Sequence, residues 1–117
     1  MLTHMHLFSD ADGRARFADR DVPLLPEDPA PDQLAMSAPL AASAVVFVRA
    51  PAGGSHPEQP ESRRQLAIIL SGRCEVTASG ETRVGLTGDV LLIEDTEGLG
   101  HSSATDEGFT AVMVVLD

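Results

Sequence analysis

Gly53-Gly54-Ser55-His56-Pro57-Glu58-Gln59-Pro60-Glu61-Ser62-Arg63-Arg64-Gln65 leads directly into Leu66-Ala67-Ile68-Ile69-Leu70-Ser71-Gly72. A Gly-Gly turn, a polar run and an aliphatic run closed by Ser-Gly read as a loop feeding a strand over 63–70. Gly53 and the triplet Gln59-Pro60-Glu61 are separated by five residues; Gln65 follows after three more, and Gly72 after a further six. Strand side chains alternate between faces. Gln59, Glu61, Arg63, Gln65, Ala67 and Ile69 are therefore expected on one face if the strand is unbroken. Arg64, Leu66, Ile68 and Leu70 then occupy the other face, where three aliphatics need cover from another segment or from a partner.

The surrounding chain has the same character. Ala44 to Arg49 reads as a strand ended by Pro51-Ala52-Gly53-Gly54. Arg73 to Ala78 and Thr82 to Leu86 form a hairpin about Ser79-Gly80-Glu81. Val90 to Ile93 is a buried strand, bounded by Gly88-Asp89 and Glu94-Asp95. Phe109 to Leu116 is the last, with Val112, Val114 and Leu116 on one face. Near the start, residues 3–8 and 14–18 flank Ser9-Asp10-Ala11-Asp12-Gly13, a hairpin turn. Five prolines within 21–39 remove backbone donors that a helix or inner strand needs. That stretch is expected to be an extended arm, crossing the rest of the fold or reaching a partner. Short strands with frequent turn signals predict an all-β sandwich or closed barrel.

Composition narrows the function. A chain of 117 residues is one domain, large enough to bury about two-thirds of its unfolded surface. Its only aromatics are four Phe, so the core must be aliphatic. A small barrel with few aromatics gains from burying a sheet face against a second copy, which makes a homodimer the expected assembly. The net charge of −10 argues against nucleic acid and against an anionic membrane surface. No apolar run approaches a membrane span, and the N-terminus lacks a signal-peptide pattern. The single Cys74 excludes an internal disulfide, and a soluble cytoplasmic protein is expected. The sequence has no Lys, which excludes Schiff-base chemistry on a lysine, and no Tyr, which excludes a phenolic acid or oxyanion donor.

The quoted residues resemble the first motif of the cupin superfamily. That motif runs Gly, five residues, His-x-His, three or four residues, Glu, six residues, Gly. The frame fits without a gap, but the ligand slots hold Gln59, Glu61 and Gln65 in place of His, His and Glu. A second cupin motif opens Pro-Gly-Asp, continues through a strand and a Pro-x-Gly turn, and delivers one His. Here Thr87-Gly88-Asp89 and Val90 to Ile93 lead to His101, through a connection about two residues longer than usual. Glu94 stands where Pro is usual and Thr105 where a closing Asn is usual. Glu58 to Gln65 and Glu94 to His101 are also similar to a group of short bacterial cupins. Those read Trp-His-Pro-Ala-Pro-Arg-Arg-Gln and, later, Glu-Asp-Thr-x-Gly-x-Gly-His. The resemblance covers residues 40 to 117 well and the N-terminal third loosely. It implies a jelly-roll barrel over 40–117 that holds a ligand or metal in its mouth, preceded by N-terminal strands and the extended Pro-rich arm over 1–39, one domain overall.

Two readings of this site stay open. Gln59, Glu61, Gln65 and His101 could surround one divalent ion, Mn, Fe, Ni or Zn, although amide oxygens are weaker ligands than the imidazoles they replace. Alternatively no cofactor is bound, and Gln59 and Gln65 hydrogen-bond a substrate or each other. His56 could replace the missing imidazole if its loop folds back. Glu61 and His101 are the expected catalytic acid and base, with the backbone at Gly98-Leu99-Gly100 turning tightly to aim His101. An inward Arg63 would recognise a carboxylate or enolate oxygen on the substrate, beside Gln59 and Gln65. Glu94-Asp95 either stabilises a turn or supports His101. Thr3-His4-Met5-His6 offers a second, weaker metal pair, and Cys74 reads as a small core residue. The leading expectation is a non-redox small-molecule enzyme: an isomerase, cyclase, epimerase or dehydratase. A metal-dependent oxygenase and a non-catalytic metabolite-binding protein are the alternatives.

Overall fold

The computed structural model describes residues 2–117, and every regular element among them is a strand. Nine strands follow one another: β1 (Thr3–Ser9), β2 (Ala15–Asp21), β3 (Ala42–Ala50), β4 (Ser55–Gln59), β5 (Gln65–Ala78), β6 (Glu81–Leu86), β7 (Val90–Glu94), β8 (His101–Ala104) and β9 (Phe109–Leu116). The first half of β5 pairs with β7 and β9, and its second half pairs with β6 and β8. One sheet therefore runs β2-β1-β7-β5-β9-β3 and the other β6-β5-β8-β4, with β5 bending from one into the other. The pairings are antiparallel except β1 with β7. This is a jelly-roll barrel.

The bend in β5 has a local cause. Pairing shifts register between Ile69 and Ser71, and Gly72 takes a φ of +80° where a Cβ would collide with the Gly108 carbonyl. The two strands expected at 63–70 and 73–78 are thus one strand that turns a barrel corner on a glycine. The hairpin about Ser79-Gly80 stands as expected, with both residues at positive φ (49° and 83°) in the pattern of a two-residue turn.

The core is aliphatic. Leu7, Ala67, Ile69, Val76, Leu91 and Ile93 are buried between the sheets, with Met5, Phe17, Val48, Phe109 and Met113 packed against them. Residues 22–41 have no regular strand. They double back through one bridge, Leu25 with Met36, so the stretch is folded rather than fully extended. No helix of the described residues is long and apolar enough to cross a membrane.

Candidate functional site

His101 opens β8 and lies opposite Gln59 of β4, while Ser103 lies opposite His56. A residue spacing of three would normally put His56 and Gln59 on opposite faces of β4. The register shift between them is a bulge that turns both toward His101. The His56 ring stacks on the His101 ring, with centroids 5.4 Å apart and planes within 19°. Gln59 Nε2 lies 3.1 Å from His56 Nε2.

His101 is buried, and so is its principal partner. Asp95 Oδ2 accepts a hydrogen bond from Nδ1 of His101 at 2.6 Å, and Asp95 is wholly inaccessible. A carboxylate on Nδ1 places the ring proton there and leaves Nε2 free as the working nitrogen. That nitrogen faces Glu61 Oε1 at 3.5 Å. Asp95 positions Glu61 as well, because its backbone carbonyl accepts the Glu61 N–H at 3.0 Å. Gln65 Nε2 lies 3.5 Å from the other Glu61 oxygen. Glu61 stays partly open to solvent, with 21% of its side chain accessible against 6% for His101. Two buried polar atoms of this cluster, Asp95 Oδ1 and His56 Nδ1, have no hydrogen-bond partner. Left unpaired, such groups cost about 1–3 kcal/mol each.

Four of the five expected site residues, Gln59, Glu61, Gln65 and His101, therefore meet in one cluster. Arg63 does not join them. The chain leaves strand geometry over 60–64, so the alternation that would have turned Arg63 inward is broken. Its guanidinium is exposed and donates to Ser43 Oγ at 3.0 Å. Of the Glu94-Asp95 pair, Asp95 supports His101, while Glu94 turns outward to His6 at 2.6 Å and Arg64 at 2.6 Å. Burial alone would push the Glu94 carboxyl up, but the hydrogen bonds from Arg64 and His6 outweigh it and hold the group below its ordinary range. Cys74 is buried, and desolvation, helped by Glu75, pushes its thiol up. Burial and a raised thiol are those of a core residue and not of an activated nucleophile. Thr105 accepts the Gly108 N–H at 2.9 Å and holds a turn.

The motif resemblance raises the question of a metal, which these side chains answer. Among the described residues no three His, Cys, Asp or Glu side chains converge as ligands. The motif slots supply one carboxylate, one imidazole and two amides. Of these, Gln65 is turned to Glu61 and Gln59 to His56. His56, the replacement imidazole considered above, does reach His101, but its ring stacks on that ring and its Nε2 meets Gln59, so the donor set does not fit a tightly bound divalent ion.

No protein-family profile and no curated protein matches the chain. Solved structures do. A cupin superfamily protein from Desulfitobacterium hafniense is 21% identical over 83% of this chain and 98% of its own, with a TM-score of 0.55. A Cupin 2 conserved barrel domain protein from Salinispora arenicola is 24% identical over 80% and 72%, with a TM-score of 0.53. A conserved protein of unknown function from Streptococcus pyogenes matches at 19% identity and TM-score 0.51, and there the alignment spans 62% of each chain. At these identities the likeness establishes the fold: the chain folds as a small barrel of the cupin type.

Proposed function

We propose that this cupin barrel is a small-molecule enzyme that moves protons without redox chemistry, as an isomerase, cyclase, epimerase or dehydratase does. The observation that carries the reading is the buried chain from Asp95 through His101 to a partly open Glu61. Proton transfer needs one group to take a proton and another to give one, each within reach of the substrate. Glu61 and His101 Nε2 are two such groups 3.5 Å apart, close enough to act on one substrate or to pass a proton between them. Asp95 does not touch the substrate; it positions both. The Gln59 and Gln65 amides supply donors and acceptors for substrate oxygens. The carboxylate and imidazole are the only two groups of the motif slots that exchange protons readily, which favours this chemistry over a metal-centred one.

The experiment is solvent exchange in deuterated water. The purified protein is incubated with a panel of small hydroxy and keto compounds, and carbon-bound deuterium is read by NMR. Incorporation into one substrate class is expected, unaffected by chelators and lost in Glu61→Gln and His101→Ala. Exchange abolished by chelators would replace this reading with a metal-dependent one. Thermal stabilisation by a compound, with no exchange and no product, would make the protein a binding module.

A further inference from the structure

A cavity of about 230 Å³ adjoins the Glu61–His101 cluster at His56. Ala50, His56, Ser103, Thr105 and Phe109 are among its walls. Register places it between the two sheets. Ser103 lies opposite His56 of β4 on one side and Val76 of β5 on the other, and residues directly opposite share a face. Val76 is a core residue, so that face points inward. Phe109 lies opposite Ala50 and two residues from the buried Ala111, so this pair points inward as well. His56 belongs to cavity and cluster alike, since its ring stacks on His101 and meets Gln59. At about 30 Å³ for each water-sized group, the space holds about eight, the size of one small ring or a short branched chain.

We infer that this cavity binds the substrate of the proton-transfer site, and that the substrate is an uncharged molecule bearing a hydroxyl or carbonyl group. The inference rests on the proton-transfer reading for what happens to the molecule, but not for what is bound. Charge decides the class. Among the described residues no Asp, Glu or Arg lines the cavity, and the chain has no Lys. Six of the eight Arg are exposed; the other two, Arg73 and Arg83, are paired with Glu75 and with Glu81 and Asp19. With Arg63 turned out to Ser43, no cation is left to meet a carboxylate or phosphate, while the Glu61 and Asp95 carboxylates of the adjoining cluster repel one. A cation fares no better. It would exchange its hydration for hydroxyls, an imidazole and hydrocarbon, with no carboxylate on the cavity wall to replace the water.

His56 supplies the group that reads the substrate oxygen. The Gln59 amide nitrogen can only donate, so His56 Nε2 accepts and the neutral ring carries its proton on Nδ1. That N–H has no partner, and it suits the lone pairs of a carbonyl or hydroxyl oxygen. It is shielded in this structure, so a ligand meets it only as the ring turns, and turning lifts the ring off His101. A bound oxygen thereby opens the way from the cavity to the working nitrogen of His101. The Ser103 hydroxyl, on the same face as His56, adds a second donor or acceptor, and Ala50 and Phe109 receive the hydrocarbon part.

NMR titration of the intact chain, labelled at alanine methyls and histidine ring nitrogens, tests this with four probes of one shape: cyclohexanone, cyclohexanol, cyclohexanecarboxylate and cyclohexylamine. The two neutral probes are expected to shift the Ala50 methyl and the ring nitrogens of His56 and His101. The anion and the cation should bind at least about 10-fold more weakly. Ser103→Leu, which fills the cavity, should weaken cyclohexanone binding by about 10-fold or more, and Ser103→Val stands in if that variant lacks a native circular dichroism spectrum. His56→Phe keeps a ring beside His101 without the N–H and should weaken it by about 10-fold. An Ala50 methyl unmoved by either neutral probe, a charged probe that binds as tightly as they do, or binding undiminished in both Ser103 variants overturns the inference. Failure of the chemistry reads differently. Neutral probes bound here by a protein that exchanges no compound in deuterated water keep the pocket and remove the proton-transfer reading. Exchange on compounds that leave the Ala50 methyl unmoved keeps that reading and removes the pocket.

Discussion

Asp95 connects residue identity to chemistry at this site. Its side chain fixes the His101 tautomer and its carbonyl anchors Glu61, so one buried residue sets the geometry of both proton-exchanging groups. Asparagine has the same shape but offers an N–H as readily as an oxygen. In Asp95→Asn the His101 ring is expected to lose its single Nδ1–H form and populate the Nε2–H tautomer. Ring-nitrogen NMR shifts of labelled histidine read this without any substrate, and unchanged shifts would remove Asp95 from the positioning role. Asp95→Ala goes further, stranding a buried imidazole nitrogen. A loss of about 2 kcal/mol is expected, or about 8 °C in thermal midpoint. That measurement separates the structural cost from the tautomer effect, because Asp95→Asn should lose much less stability.

At the scale of elements, backbone punctuation decides where the site residues sit. Gly100 takes a φ of +72° where a Cβ would overlap the Gln59 carbonyl, so β4 and β8 meet at a point only glycine allows. Gly80, at +83°, has nothing within 4 Å of its Cβ position. Gly80→Ala should therefore cost only the left-handed backbone penalty, about 1 kcal/mol. Gly100→Ala should cost at least about 2 kcal/mol more, because it also drives Gln59 away from His101. Equal urea midpoints for the two variants would contradict that account. The same contrast explains what was legible in the sequence. β3, β6, β7, β9 and the turns between them follow from alternation and turn residues, and the outward placement of Leu66 and Ile68 follows from period-two spacing. Gln59, Glu61, Gln65 and His101 were legible through the spacing of the motif. Two features were not, and both break the period. The bulge in β4 turns His56 toward His101, and its one sequence signal is Pro57, a residue confined to edges and bulges. The irregular stretch at 60–64 turns Arg63 out of the site. Nor does any local pattern announce the parallel pairing of β1 with β7, which is a long-range event.

For the whole molecule, the acidic balance and the outer ion-pair cluster together set the response to pH. Eight Arg face 18 carboxylates, so acidification relieves general repulsion and by itself favours the folded state. Three groups work in the opposite direction: His4, Glu94 and, at the acid extreme, Asp10, whose carboxyl the Arg16 side chain holds below its ordinary 3.8. Desolvation, with His6 and Arg20 nearby, holds the His4 imidazole below its ordinary 6.5. The unfolded chain therefore takes up that proton first, and stability falls as pH drops below about 6.5. Glu94 is held below its ordinary 4.5 by Arg64 and His6. Its contribution is complete above that value and disappears as pH falls through the lower folded one. From His4 and Glu94, two successive losses are expected on acidification, one below about pH 6.5 and one below about pH 4.5. His4→Gln should flatten the first. Glu94→Gln should flatten the second and cost about 1 kcal/mol near neutrality, since its hydrogen bonds to Arg64 and His6 become uncharged on the acceptor side. Urea unfolding at pH 7, 5.5 and 3.5, wild type beside each variant, isolates these two groups, because the general repulsion is nearly common to all three proteins. Parallel pH profiles for wild type and Glu94→Gln would place the acid sensitivity elsewhere.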